Sequence, residues 1–284
     1  MQPRRGRLGC KAEKHPGHRG GVDSAQVFGL NFGGKVRHAR QYIEPVLFTR
    51  LLNRLAASPL PSQCAVCRAW GAARLCRACS HRFAAPAQRC ERCALRVPEG
   101  VSVCGACLRR PPNFDGVLAS VDYDHPWDRL IARFKFNAAL DLSSELARLL
   151  VDTHLASAQP QPSLLLPVPL SRQRLRERGY NQAWELTRRA ARTLRCPADA
   201  HLLLRVKDTP HQLAFPPAQR AANVRGAFAV EPTRLHELRG RSVIVVDDVM
   251  TTASTAAEVS AVLRQAGALQ VRFWVVARTP RPGS

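Results

Sequence analysis

The sequence predicts an α/β domain built on a parallel sheet, preceded by a small cysteine-rich module. Three observations predict it. From residue 116 onward, short apolar segments alternate with helical stripes. Ahead of that point, eight cysteines fall into four C-x-x-C pairs within 44 residues. One all-apolar segment, residues 242–246, runs into Asp247-Asp248 and a turn rich in hydroxyl groups. Alternating strand and helix signals are the pattern of a doubly wound parallel sheet.

Taken in order, residues 1–40 read as a disordered basic tail. Nine Lys or Arg against two acidic residues give it +7 of the chain's formal +22. Residues 41–62 read as an amphipathic helix and linker. Ile43, Val46, Leu47, Leu51 and Leu55 form the stripe, and Pro59 and Pro61 end it. Residues 63–110 hold the cysteine pairs, and residues 114–280 the α/β domain. Within that domain, strands are expected at 116–123, 164–168, 201–206, 226–230, 242–246 and 271–277. Helices are expected at 127–136, 141–155, 181–194 and 255–266, with Gly267 stopping the last. The arginine-rich stretch 172–178 reads as a loop.

The longest apolar runs are strand-sized, far short of the ~20 residues that span a bilayer, so no membrane insertion is expected. The N-terminus has no apolar core of the signal-peptide type. A cytoplasmic protein is the expectation. Two four-thiolate zinc sites lower the charge outside the tail from +15 to +11. That surplus suits phosphates or nucleic acid.

The cysteine pairs are Cys64/Cys67, Cys76/Cys79, Cys90/Cys93 and Cys104/Cys107. One C-x-x-C turn aims two thiolates at a tetrahedral centre, and two turns close a structural zinc site. A disulfide framework would need an oxidising compartment. Two zinc ions are therefore expected. Sequential pairing closes shorter loops than crossed pairing and is preferred on chain entropy. Trp70, Leu75, Phe83 and Leu95 are too few to make a core without metal.

The stretch from Arg241 to Thr255 carries the function. Two carboxylates directly after buried β-residues are costly unless something uses their charge. The turn that follows, Thr251, Thr252, Ala253, Ser254 and Thr255, leads into a helix N-terminus, an arrangement that suits a phosphate. This stretch resembles the phosphoribosyl-diphosphate (PRPP) motif of type I phosphoribosyltransferases, and of the ComF/GntX family in particular. Pro167-Val-Pro169, followed by Arg172, Arg174, Arg176 and Arg178-Gly-Tyr-Asn-Gln182, is similar to that family's PVP…R…RG[FY]NQ segment. Lys207, Thr209, Gln212, Arg220, Asn223 and Gly226-Ala-Phe228 resemble its second signature, and the cysteine-rich front end fits the same family. Ala253 departs from the pattern, which has Gly there. If the position needs positive φ, Ala costs on the order of 1 kcal/mol.

The resemblance implies a type I phosphoribosyltransferase fold with PRPP and Mg²⁺ as ligands. Asp247 and Asp248 would hold the ribose hydroxyls. Thr251, Thr252, Ala253, Ser254 and Thr255 would cradle the 5′-phosphate. Arg178 would stabilise the leaving diphosphate, with Arg172 and Lys207 as further PRPP contacts. Lys135, Lys207, Arg220 and Arg225 would close over the site as a hood. It also implies an association with natural competence, DNA uptake, single-stranded DNA and competence or helicase machinery. Two function classes follow: a phosphoribosyltransferase whose acceptor no residue names, or a non-catalytic PRPP- or nucleotide-responsive single-stranded-DNA-binding protein.

Overall fold

The computed structural model describes residues 61–157, 159–207 and 224–281. The expected tail at 1–40, most of the helix and linker at 41–62, and Thr209, Gln212, Arg220 and Asn223 lie outside the described residues. The chain enters through a short hairpin, β1 (Ser62–Gln63) and β2 (Trp70–Gly71), and then α1 (Arg77–Phe83) and α2 (Gly105–Arg109). There follow β3 (Gly116–Asp122), α3 (Trp127–Phe136), a 3₁₀ turn (Leu140–Leu142) and α4 (Ser143–Ala156). After them come β4 (Leu164–Pro167), α5 (Arg172–Arg178), α6 (Gln182–Leu194) and β5 (Leu203–Arg205). The chain ends with β6 (Phe228–Val230), a 3₁₀ segment (Pro232–Leu238), β7 (Ser242–Met250), α7 (Ser254–Gln265) and β8 (Gln270–Arg278).

Strands β3, β8, β7 and β4, in that spatial order, form one all-parallel sheet, while β5 and β6 pair antiparallel beside it. Parallel strands covered on both faces read as continuous apolar runs, because neighbouring residues point to opposite cores. In β7, Ile244 and Val246 join the core under α3, α4 and α6; Val243 and Val245 join the opposite core under α7. In β8, Trp274 and Val276 take the first face, Phe273 and Val275 the second.

Two expectations are corrected. The apolar strand 242–246 continues through Asp247 and Asp248 to Met250, because β8 goes on pairing with it as far as Met250 opposite Arg278. The arginine stretch 172–178 is a two-turn helix. Ser171 Oγ accepts from Arg174 N (3.4 Å), and Gly179 ends the helix at φ +78°, a left-handed position that glycine adopts without strain.

The cysteine-rich segment packs directly on this domain. Leu75, Cys64 and Cys79 belong to the core under α3 and α4, and Ala94 belongs to the opposite core. Trp127 Nε1 donates to Phe83 O (2.8 Å). Asp122, at the end of β3, pairs with Arg89 (2.6 Å) and with Arg96. At Gly116 the ribbon comes so close that an added Cβ would stand 2.8 Å from Glu91 O, which only glycine avoids. The few apolar residues of the cysteine segment thus borrow the core of the larger domain.

Candidate functional site: an anion-binding cavity at the strand ends

A cavity of about 210 Å³ opens at the C-terminal ends of the parallel strands, where open α/β sheets place ligands. Its walls include Lys135 and Phe136 from the end of α3, Arg174 and Arg178 from α5, Arg205, the acidic pair, and residues 249–256. Four cationic side chains against two carboxylates give it a net positive lining.

In the arginine-glycine-tyrosine-asparagine-glutamine run, Arg178 and Gln182 line this wall and the residues between them anchor it. On α5, Arg174 and Arg178 are one turn apart and face the cavity, while Arg172 and Arg176 are exposed. Gly179 turns the chain. The Tyr180 hydroxyl donates to Phe134 O and ties the turn to α3. Asn181 caps α6, its Oδ1 accepting from Ala183 N (2.9 Å), while its Nδ2 donates to Val168 O (3.1 Å). Gln182 Oε1 accepts from Arg178 Nη1, which fixes the guanidinium, and that guanidinium lies 5.3 Å from the centre of the Phe136 ring.

At the cavity floor, Asp248 is buried and its Oδ2 stands 2.8 Å from Lys135 Nζ. The distance is that of a contact ion pair, although Oδ2 meets no donor at hydrogen-bonding angles. The other oxygen, Oδ1, accepts from Val249 N (2.8 Å), and Asp247 Oδ1 accepts from Asp248 N (2.8 Å). Desolvation, reinforced by the neighbouring Asp248 charge, holds the Asp247 carboxyl well above the usual carboxylate range. Burial works against the charge of Lys135, but Asp248 and Asp247 outweigh it and raise its pKa. Lys135 is therefore part of the cavity floor on α3, where the sequence suggested a hood.

The turn after β7 closes the cavity. Ala253 has φ +64° and ψ 9°, so the position where the family pattern has Gly does adopt the left-handed conformation. No side chain caps α7, whose first turn lines the cavity. The start of this twelve-residue helix, without a side-chain cap, turns the positive end of its dipole toward an anion in the cavity. Thr252 Oγ1 and Ser254 Oγ lie 2.9 Å apart.

The structure thus brings Asp247, Asp248, Arg178, Thr251, Thr252, Ala253, Ser254 and Thr255 to one cavity. Arg172 and Lys207 are not in its lining. Arg172 starts α5, one and a half turns before Arg178. Lys207 Nζ donates instead to Arg225 O (3.3 Å). Sequence reasoning missed Arg174 as a wall residue, Arg205, and Phe136. The i, i+4 spacing of Arg174 and Arg178 was visible, but its meaning required the stretch to be a helix.

The cysteines form two further clusters, Cys64/Cys67/Cys76/Cys79 and Cys90/Cys93/Cys104/Cys107, each with all its sulfurs within 4.8 Å of one another. This is the sequential pairing. Cys67 Sγ to Cys76 Sγ is 3.7 Å, and Cys93 Sγ to Cys104 Sγ is 3.7 Å. Four sulfurs around one ion at about 2.3 Å would lie about 3.8 Å apart on a tetrahedron, so the geometry fits zinc. All eight are free of disulfides. Burial opposes ionisation of Cys64, yet the N–H groups of Cys76, Cys67 and Val66 bring its pKa down to about 6. Burial pushes Cys79 up to about 12, a conflict within one cluster that a bound cation would relieve.

The chain is similar to several known proteins. The family described as "Phosphoribosyl transferase domain" matches residues 190–283. The DNA utilization protein YhgH of Escherichia coli strain K12 is 32% identical over 230 residues, 78% of this chain and 98% of that protein. Competence protein F of Haemophilus influenzae is 34% identical over 193 residues, 66% of this chain and 84% of that protein. Adenine phosphoribosyltransferase from Leishmania tarentolae superposes with a TM-score of 0.35 at 14% identity, over 60% of this chain and 93% of that one.

Proposed function

This chain belongs to the ComF/GntX family of phosphoribosyltransferase-like proteins, and we propose that its cavity binds PRPP with Mg²⁺ and transfers or senses the phosphoribosyl group in a process serving DNA uptake. The observation that carries this reading is the junction of β7 and α7. A pair of carboxylates, a left-handed Ala253 and an uncapped helix start lie within one cavity whose lining also bears Arg174 and Arg178. A sugar phosphate has that charge pattern: hydroxyl donors for the carboxylates at one end, and anionic groups for the N–H and guanidinium groups at the other.

In this reading the first turn of α7 and the hydroxyls of Thr251, Thr252, Ser254 and Thr255 bind the 5′-phosphate. Asp247 and Asp248 accept hydrogen bonds from the ribose 2′- and 3′-hydroxyls. Lys135 neutralises the carboxylates until the sugar arrives. Arg178, held by Gln182 and stacked over Phe136, supports the charge that develops on the diphosphate as its bond to ribose C1 breaks. Carboxylate and hydroxyl oxygens are hard donors that would suit Mg²⁺, which would supply further charge neutralisation on the diphosphate. In this reading the sugar-phosphate end occupies the cavity of about 210 Å³, and the diphosphate and any acceptor lie toward its mouth.

A second reading is a binding protein without turnover. What favours it is that the relatives are named for DNA utilization and competence, together with the basic first ribbon on which Trp70 is 71% exposed. A single strand could stack a base on Trp70 beside its arginines. Neither reading requires a membrane segment, and among the described residues no helix is long and apolar enough to cross one. A cytoplasmic location fits both.

One experiment separates the two. The full chain is incubated with PRPP, Mg²⁺ and a panel of nucleobases, and released diphosphate is measured. Release that requires an acceptor and is lost in Asp248→Asn supports the transferase. No release with any acceptor, alongside salt-dependent binding of single-stranded DNA that survives Asp248→Asn, supports the binding protein.

A further inference from the structure

Arg278, the last residue of β8, is only 6% exposed, an unusual place for a guanidinium. Its hydrogen bonds run two ways. Nε donates to Cys93 O (2.8 Å), inside the second cysteine cluster. Nη1 donates to Met250 O (2.9 Å), Thr251 O (2.5 Å) and Thr279 O (3.0 Å), at the start of the turn that lines the cavity. One planar side chain therefore spans from a metal-ligating cysteine to the first residue of the candidate phosphate turn.

The charge of this side chain needs an explanation. Among the described residues no carboxylate forms an ion pair with Arg278. A buried cation without a counter-charge is strongly disfavoured. Four thiolates around a divalent zinc carry a net charge of −2, and the second cluster lies directly beside it. Arg281 Nη2 also donates to Cys104 Sγ (3.5 Å). A zinc ion held by these four cysteines would make the cluster a counter-ion for Arg278.

The first cluster has a different connection. It is tied through Phe83 O to Trp127 and through Arg74 Nε to Asp141 Oδ2 (2.5 Å), that is, to α3 and the 3₁₀ turn after it. Meanwhile Asp122 clamps Arg89 and Arg96, which flank the second cluster, to the end of β3.

We propose that Arg278 is a positioning residue that makes the shape of the 250–255 turn depend on metal in the second cysteine cluster, and far less on metal in the first. Cys90, Cys93, Cys104 and Cys107 would then act as the strut of the phosphate turn. The ligand consequence rests on the PRPP reading above; the coupling between the cluster and the turn does not.

Hydrogen exchange on the full chain, read at amides 249–256, tests this alongside zinc content and PRPP calorimetry. Arg278→Met should keep both zinc ions, yet speed exchange in the turn by roughly tenfold or more. PRPP affinity should fall by a similar factor. Arg278→Lys, a milder change that can reach only one side of the bridge, should fold and fall between. Cys107→Ser should loosen the turn more than Cys67→Ser, although each loses one zinc. Unchanged exchange in both Arg278 variants, or equal loosening by the two cysteine variants, would overturn the proposal. If the wild-type protein takes up no PRPP, the ligand reading fails, and the exchange data still decide the strut.

Discussion

Lys135 Nζ stands 2.8 Å from Asp248 Oδ2, with the carboxylate 2% and the lysine side chain 21% exposed. Each charge is the condition for burying the other, so removing one alone is worse than removing both. Lys135→Met should destabilise the protein by about 2–4 kcal/mol in urea unfolding, and the double variant Lys135→Met/Asp248→Asn should recover much of that loss. Equal destabilisation by the single and double variants would show that the cost does not come from a buried carboxylate left without its partner.

Asp247 supplies a pH signature. Its carboxyl is held well above the usual carboxylate range by desolvation and then by Asp248. A raised folded-state pKa means that the folded protein holds the proton more tightly than the unfolded chain. This group therefore favours folding at low pH, and the favour is lost as pH rises from the unfolded value through the folded one. At neutral pH, Asp247→Asn should raise Tm, while PRPP binding, which uses the carboxylate, should weaken. In the wild type, PRPP affinity should fall as pH drops through the raised pKa, and this dependence should flatten in Asp247→Asn. Thermal melts and calorimetry across pH measure both.

Ala253 holds φ +64° with its methyl group against the core below α7. Replacing it by Gly removes strain of about 1 kcal/mol but also loses the methyl contact and loosens the unfolded chain. Ala253→Gly should therefore change stability by less than about 1 kcal/mol and leave phosphate binding intact or tighter. A loss of binding in Ala253→Gly would mean that the turn recognises something other than a phosphate.

Zinc stoichiometry tests the pairing. The wild type should carry two ions per chain by elemental analysis. The double variant Cys64→Ser/Cys76→Ser damages one sequentially paired site and should retain one ion. Under crossed pairing it would damage both.

Much of this was readable from the chain. β7 and β8 are apolar on both faces because both faces are covered, and the four C-x-x-C turns have the spacing of metal knuckles. The Ala253 substitution could be located, and its left-handed backbone anticipated, from the turn it occupies. The stretch 172–178 was harder. Arg-Gln-Arg-Leu-Arg-Glu-Arg has one apolar residue and so no stripe, and α5 buries none of its residues. Its helix signals were the Ser171 cap and Gly179 alone. The end of β7 was missed because two aspartates are poor strand formers, and the ladder to β8 overrode that preference. Sequence reasoning set Lys135 over the site as a hood and not against Asp248, and Arg278 could not be placed at all. Each acts on a partner far along the chain, and only the parallel sheet order brings them together.

The central claim is tested most directly by titrating PRPP with Mg²⁺ into the folded, zinc-replete full chain in a calorimeter. The account predicts saturable one-to-one binding that weakens by about tenfold or more in Asp248→Asn. Absence of binding for PRPP and for ribose 5-phosphate alike, in protein shown to carry two zinc ions, would contradict it.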